Sequence, residues 1–171
     1  MKKLVFFLVF VAFLTAKMAF ADDSVLMVKL TADKSMLAQK YAVYTLLKKY
    51  NSPMLGEVDA FFKACTIYQI NCYLIPSIAG LESGFGKHIP YDSYNAFGWD
   101  VGNTDFHSWE DAIMTVARGL RKHYVNKEVT TVQDIAPIYA PPSTTWANNV
   151  SYFMHRLESI EETFNSEPLS F

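Results

Sequence analysis

Glu82 is the residue whose type and spacing call for a chemical explanation. It follows Ile75, Ile78 and Ala79 at helical intervals, so an acid is carried on the same side as an apolar stripe. Gly84 and Gly86 end that helix just beyond it, which sets the carboxylate in the last turn, at the negative end of the helix dipole. Burial and dipole both disfavour ionisation, and a carboxyl group that stays protonated near neutral pH can protonate a leaving oxygen such as that of a glycosidic bond. Spacing alone favours a plainer explanation, a helix-end glutamate that bends to solvent or accepts bonds from loop amides.

The segment after Glu82 has the composition of a binding loop. Five of the seven glycines lie between Gly80 and Gly102, among Pro90, Tyr91, Tyr94, Asn95, Phe97 and Trp99. Aromatic faces can stack on a sugar ring, and the Asn95 amide can hydrogen-bond to it. Core packing accounts equally well for Phe97 and Trp99. Tyr139, presented by Ala140-Pro141-Pro142, is a further candidate with packing as its alternative.

Other chemistries fit poorly. The histidines at 88, 107, 123 and 155 are scattered, and no His-Glu-x-x-His or Cys/His cluster offers a metal site. Gly-x-Ser-x-Gly, Walker and dinucleotide loops are absent. An amidase built on Cys65 or Cys72 with His88 needs a reduced thiol, which an exported protein does not readily keep. The expected chemistry therefore calls for no metal and no cofactor.

Export is expected from the first residues. Met1-Lys2-Lys3, the apolar run from Leu4 to Ala16, and Ala19-Phe20-Ala21 before Asp22-Asp23 have the form of a signal peptide cut after Ala21. The apolar run is shorter than the roughly 20 residues that span a bilayer, so a membrane enters only through this segment if it stays uncleaved. The expected location is secreted, periplasmic or in the cell envelope. An oxidising environment makes a Cys65–Cys72 disulfide the natural pairing, provided the chain reverses at Gln69-Ile70-Asn71; unbroken helix would hold the two Cα atoms about 10.5 Å apart. Two buried free thiols are the alternative.

Helical periodicity supplies the elements that must hold these groups. Leu37, Tyr41, Tyr44 and Leu47 form one stripe, ended by Asn51-Ser52-Pro53; Val58, Phe61, Phe62 and Cys65 form a second. Ser108-Trp109-Glu110-Asp111 resembles a capping box and opens a helix with Ile113, Val116, Ala117, Leu120 and Tyr124 inward. Arg118, Arg121 and Lys122 near its far end suit the dipole. A short helix follows Thr131-Val132-Gln133-Asp134, and a last one from near Thr145 turns Trp146, Val150, Phe153, Leu157 and Phe164 to the core. Residues 22–34 are ambiguous between strand and helix, and the tail after Asn165 is expected to be loose. The organisation expected is a signal peptide over 1–21, an extension over 22–34, a mainly α single domain over 35–165 and a tail over 166–171. Beyond residue 21 the chain carries 12 basic and 17 acidic groups, net −5. That balance disfavours nucleic acid as a partner.

Taken in order, Ile78-Ala79-Gly80-Leu81-Glu82-Ser83-Gly84-Phe85-Gly86-Lys87, Ser93-Tyr94-Asn95-Ala96-Phe97-Gly98-Trp99, Trp109-Glu110-Asp111 and Tyr139-Ala140-Pro141-Pro142 through Trp146-Ala147 resemble the bacterial glucosaminidase-like domains of the lysozyme-like superfamily, which also contains the lytic transglycosylases. The resemblance covers residues 50–157. It implies a lysozyme-like helical fold with a Gly/aromatic-rich cleft loop and cleavage of a β-1,4 bond in peptidoglycan or another N-acetylglucosamine-containing glycan. It further implies Glu82 as general acid, Tyr139 near the reacting sugar, and Ser83, Tyr94, Asn95, Phe97 and Trp99 as substrate-side residues. Only 12 residues separate Glu82 from Asn95, too few for the hairpin lobe that supplies a second carboxylate in many glucosaminidases. Asp92, Asp100, Asp105 and Glu110 are the local candidates for that group. A disulfide would be an addition local to this chain. A lytic transglycosylase and a wall-binding module without turnover are the alternative functions.

Overall fold

The computed structural model describes residues 2–123 and 131–166, with side chains at Val25 and from Met27 onward. The described elements are six α-helices: α1 (Lys2–Lys49), α2 (Val58–Tyr68), α3 (Leu74–Ser83), α4 (Trp109–His123), α5 (Val132–Tyr139) and α6 (Trp146–Ser166). Short 3-10 turns occupy Leu55–Glu57 and Trp99–Gly102. The chain is mainly α, with no strand among the described residues.

By its internal contacts the chain divides after Leu37. The first unit is helical throughout its described length, which resolves residues 22–34 as helix rather than strand. The side chains of residues 1–21, expected to form a signal peptide, lie outside the described residues, as do Tyr124 and the tail beyond Ser166. No helix among the described residues is long and apolar enough to cross a membrane.

In the second unit α2 packs on α4, while α6 receives α3 and α5. The last twelve residues of α1 belong to this unit and bury Ala38, Ala42, Val43, Leu46 and Leu47. This corrects the expected stripe: Leu37, Tyr41 and Tyr44 are exposed, and only Leu47 of those four is buried. The small side chains of Ala38 and Ala42 turn inward, and the Tyr41 ring lies 4.9 Å from that of Phe164 at the surface. The other stripes are buried largely as spaced. Phe61, Phe62 and Cys65 of α2, Ile113, Val116, Ala117 and Leu120 of α4, and Trp146, Val150 and Leu157 of α6 are all in the core, whereas Val58, Phe153 and Phe164 are half-buried.

Helix ends follow the local chemistry. Thr131 caps α5 by accepting from the Asp134 backbone N–H. At α4 the Asp111 N–H donates to Ser108 Oγ at 3.1 Å, while the Asp111 carboxylate accepts from the His107 N–H, one residue beyond the position of a standard capping box. At the end of α2, Gln69 takes a left-handed conformation (φ 50°) and the Ile70 N–H donates to the Cys65 carbonyl. That reversal brings the Cα atoms of Cys65 and Cys72 to 5.0 Å, and the disulfide forms.

Candidate active site

The site is assembled where the C-terminus of α3 meets the N-terminus of α6. Glu82 is the penultimate residue of α3, and Gly84 (φ 58°) closes the helix in the left-handed conformation a glycine takes without strain. Phe85 follows with φ 63°, its ring buried over Gly80, where a Cβ would come within 2.7 Å of the ring. Three hydrogen bonds hold this corner. The Phe85 N–H donates to the Ala79 carbonyl, the Ser52 hydroxyl donates to the Phe85 carbonyl, and the Gly86 N–H donates to Ser83 Oγ.

Glu82 is exposed as a residue, as the plainer sequence alternative had it, yet protein crowds one side of its carboxylate. Oε1 accepts from the Trp146 indole Nε1–H at 2.7 Å, and Oε2 lies 3.1 Å from the position a Cβ on Gly98 would take. Desolvation raises the carboxyl pKa above its ordinary value; the Trp146 bond, which favours the ionised form, opposes it. Trp146 itself is 3% exposed. A buried indole N–H needs an acceptor, and here the acceptor is the candidate acid. Trp146 was expected only to pack the core. Its place in the first turn of α6, where the N–H of a buried indole must look beyond its own helix for a partner, is the sequence signal of the further role.

Beside Glu82 lies a groove of about 510 Å³ lined by Gly98, Trp99, Asp100, Thr104 and Tyr139, with the exposed Ile138 at its edge. The groove does not itself include Glu82; Gly98 connects the two, lining the groove on one side and touching the Glu82 side chain on the other. Tyr139 stands between Trp99 (6.1 Å between centroids) and Trp146 (4.9 Å, stacked). Its hydroxyl donates to the Phe97 carbonyl at 2.6 Å, so the ring is anchored by both its face and its tip.

Several residues expected to face substrate instead build the loop. Asn95 is 4% exposed; its Nδ2 donates to the carbonyls of Trp99 and Thr104, and its Oδ1 accepts from the Trp99 N–H, each at 2.9 Å. The amide is therefore spent closing the Trp99–Thr104 turn: both its donors are used, and its burial keeps it from a sugar. Ser83 is also buried, its hydroxyl within bonding distance of the Ala79 and Ala96 carbonyls (3.1 and 2.8 Å). Phe97 is wholly buried. These three are corrections to the substrate-side set, with one physical reason: a loop with so many reversals must satisfy its own backbone groups before it can present any side chain. Tyr94 is half-buried and meets the Trp109 ring edge-on at 5.1 Å, outside the groove lining described above. Tyr91 is 95% exposed. Trp99 and Tyr139 are the expected aromatic residues that line the groove.

Gly119, unremarked in the sequence, explains the position of Trp99. A Cβ there would fall 2.4 Å from the indole, so only a glycine in α4 lets the ring lie against the helix. A glycine inside a helix that opens with capping residues was the available signal. Of the four candidate second carboxylates, Asp100 alone lines the groove, with the Thr104 hydroxyl 3.4 Å away. Glu110 pairs with Lys63 at 2.7 Å, and Asp92 and Asp105 are exposed. Backbone strain concentrates at this rim, where Asp100 and the β-branched Val101 both have positive φ (53° and 54°). Among the described residues no group of His, Cys, Asp and Glu could hold a metal ion.

No family model matches this chain, and no curated protein matches it significantly.

Proposed function

We propose that the protein is an exported glycoside hydrolase that cuts a β-1,4 bond in the glycan strand of peptidoglycan, with Glu82 as general acid. The observation that carries this reading is the carboxyl group itself, bonded to the Trp146 indole through one oxygen and close to Gly98 with the other, raised in pKa, and beside a groove walled by Trp99 and Tyr139. The order of motifs that resembles the glucosaminidase-like domains supports it independently.

The protonated carboxyl donates to the glycosidic oxygen as the bond to the anomeric carbon breaks, leaving an oxocarbenium-like centre. Water supplies hydroxide to that carbon and its remaining proton returns to the carboxylate, restoring the acid. Trp99 and Tyr139 stack on neighbouring sugar rings, while Trp146 holds Oε1 and so directs the other oxygen toward the groove side. Asp100, the one of the four candidate second carboxylates that lines the groove, assists the water or the positive charge in this reading.

The second reading is a lytic transglycosylase. The observation favouring it is that burial and Trp146 are the influences on Glu82, with no neighbouring charge among them. One carboxylate then serves as acid and afterwards as base, taking the proton of the sugar's own hydroxyl as an anhydro ring closes. Mass spectrometry of fragments released from purified peptidoglycan separates the readings. Reducing ends that vanish with Glu82→Gln are the expected result, and anhydro ends establish the alternative. A protein that binds wall yet releases nothing across several wall types is a binding module and ends the enzyme proposal. Export is checked by sequencing the N-terminus of the mature protein, expected to begin at Asp22.

A further inference from the structure

Trp99 stands between two grooves. Besides the groove it shares with Thr104 and Tyr139, it borders a second, of about 400 Å³, lined by residues of α4. Thr115, Arg118, Gly119 and Lys122 line this groove at spacings of three, four and seven residues, which places them on one face of the helix; His123 is shared with the first groove. Gly119 is the floor on which the Trp99 indole rests, and the two cations line the same groove as that ring.

Among the described residues, the two cations of this groove stand apart from the basic side chains that find partners. Lys40 and Lys63 pair with Asp59 and Glu110, and Arg121 turns to the Gln69 carbonyl and side chain. Arg118 and Lys122 enter no ion pair among the described residues, and no acid is among the described residues that line their groove. The helix dipole favours basic residues at this end of α4 in general. It does not require that two of them, with Trp99 between the grooves, converge on one concavity of a chain that is otherwise net acidic.

A linear polymer bound in the first groove, with its reacting bond at Glu82, passes Trp99. A side branch carrying negative charge then finds the Arg118 and Lys122 groove. Peptidoglycan strands have such branches, since peptide stems bearing several carboxylates hang from alternate sugars. We propose that this groove is a subsite for the stem-peptide carboxylates of a peptidoglycan strand. It rests on the glycan-cleaving reading and adds to it a selectivity for strands that still carry their stems.

Soluble glycan strands with intact stems, and the same strands stripped of stems by an amidase, are titrated against the full chain and against Arg118→Ala/Lys122→Ala. Both side chains lie at the surface, so helical circular dichroism is expected to be unchanged. The unsubstituted protein binds stem-bearing strands about tenfold more tightly than stripped ones, the scale of one or two exposed charge-assisted contacts. The double variant loses that preference by weakening only the stem-bearing complex, Arg118→Lys/Lys122→Arg keeps it, and added salt erodes it. Equal weakening on both strand types, no weakening on either, or binding of neither by the unsubstituted protein overturns the subsite. So does weakening confined to stripped strands, which would assign the groove to the lactyl carboxylate that stripping exposes. Fragment release measured in the same samples reports separately on cleavage: stem selectivity without fragments retires the hydrolase and leaves the subsite, whereas fragments without selectivity do the reverse.

Discussion

Helices α3 and α6 pack against each other and are joined near both ends of α3 by a hydrogen bond to a carboxylate, yet the two joints differ in kind. At one, the Tyr73 hydroxyl donates to Glu161 Oε2 at 2.6 Å. At the other, the Trp146 indole donates to Glu82 Oε1 at 2.7 Å. In the first the donor is the group on α3's side, and it is the Tyr73 phenol whose ionisation is suppressed, by burial first and by Glu161 second. A phenol held neutral above its usual pKa does no proton transfer in the physiological range, so that joint is a clasp. In the second the acid is on α3, burial pushes its pKa up, and its other oxygen faces Gly98 at the edge of a groove. The same pair of helices thus uses one carboxylate to hold the fold and presents another at the edge of a groove. What separates them is which partner is desolvated and whether a concavity lies beside it.

The most severe test of that contrast is Glu82→Gln. Fragment release from peptidoglycan is expected to fall by roughly 10²–10⁴-fold, the range for loss of a general acid, while the far-ultraviolet dichroism stays unchanged. An active Glu82→Gln protein would remove the acid from the mechanism. Next in size is Gly119→Ala, which drives a methyl into the Trp99 indole and displaces it from the groove wall. Release is expected to drop roughly 10-fold or more, consistent with the cost of misplacing a positioning group, and intrinsic tryptophan emission shifts with the ring.

Trp146→Phe keeps a ring against Tyr139 and deletes only the bond to Glu82. Because that bond lowers the Glu82 pKa, its loss raises the pKa further. A general acid works in its protonated form, so the alkaline limb of the pH–rate profile is expected to move to higher pH, with a modest fall in maximal rate. An unmoved limb means that another group titrates there. The stability sign follows the same logic. The folded state holds the Glu82 proton more tightly than the unfolded chain, so this contribution is full at acidic pH and fades as pH rises through the folded-state pKa. Melting temperature against pH should lose that feature in Glu82→Gln. The smallest effect on function belongs to Tyr73→Phe, expected to lower stability by about 1–2 kcal/mol, as for a hydrogen bond to a charged group near a surface, with fragment release intact. Lost activity with unchanged stability would make the clasp part of the site.

Much of the scaffold was legible because it rests on local rules. Helical spacing identified the inward residues of α4, and the glycines after Glu82 marked the end of α3 where the left-handed Gly84 stands. The reach of the chain between Cys65 and Cys72 showed that a disulfide needs a reversal at Gln69-Ile70-Asn71, and the structure has both, in place of the alternative of two free thiols. The α1 stripe failed because periodicity weighs the large Tyr41 and Tyr44 above the small Ala38 and Ala42, whereas close packing can prefer the small ones. In the loop the aromatic types were legible, but Asn95, Ser83 and Phe97 are buried in the loop itself and only Trp99 and Tyr139 of the expected set line the groove.

Side-chain type, helical period and turn chemistry are properties of short stretches, and they were enough to place an acid at a helix end beside an aromatic, glycine-rich loop. Whether a polar group faces inward or outward depends on which distant backbone groups need a partner. Asn95 is consumed by carbonyls four and nine residues on, Tyr139 by one 42 residues away, and Glu82 by an indole 64 residues away. Those partners are brought near by the packing of α5 and α6 and by the folding of the loop on itself, so the division of the loop into scaffold and surface belongs to the folded chain.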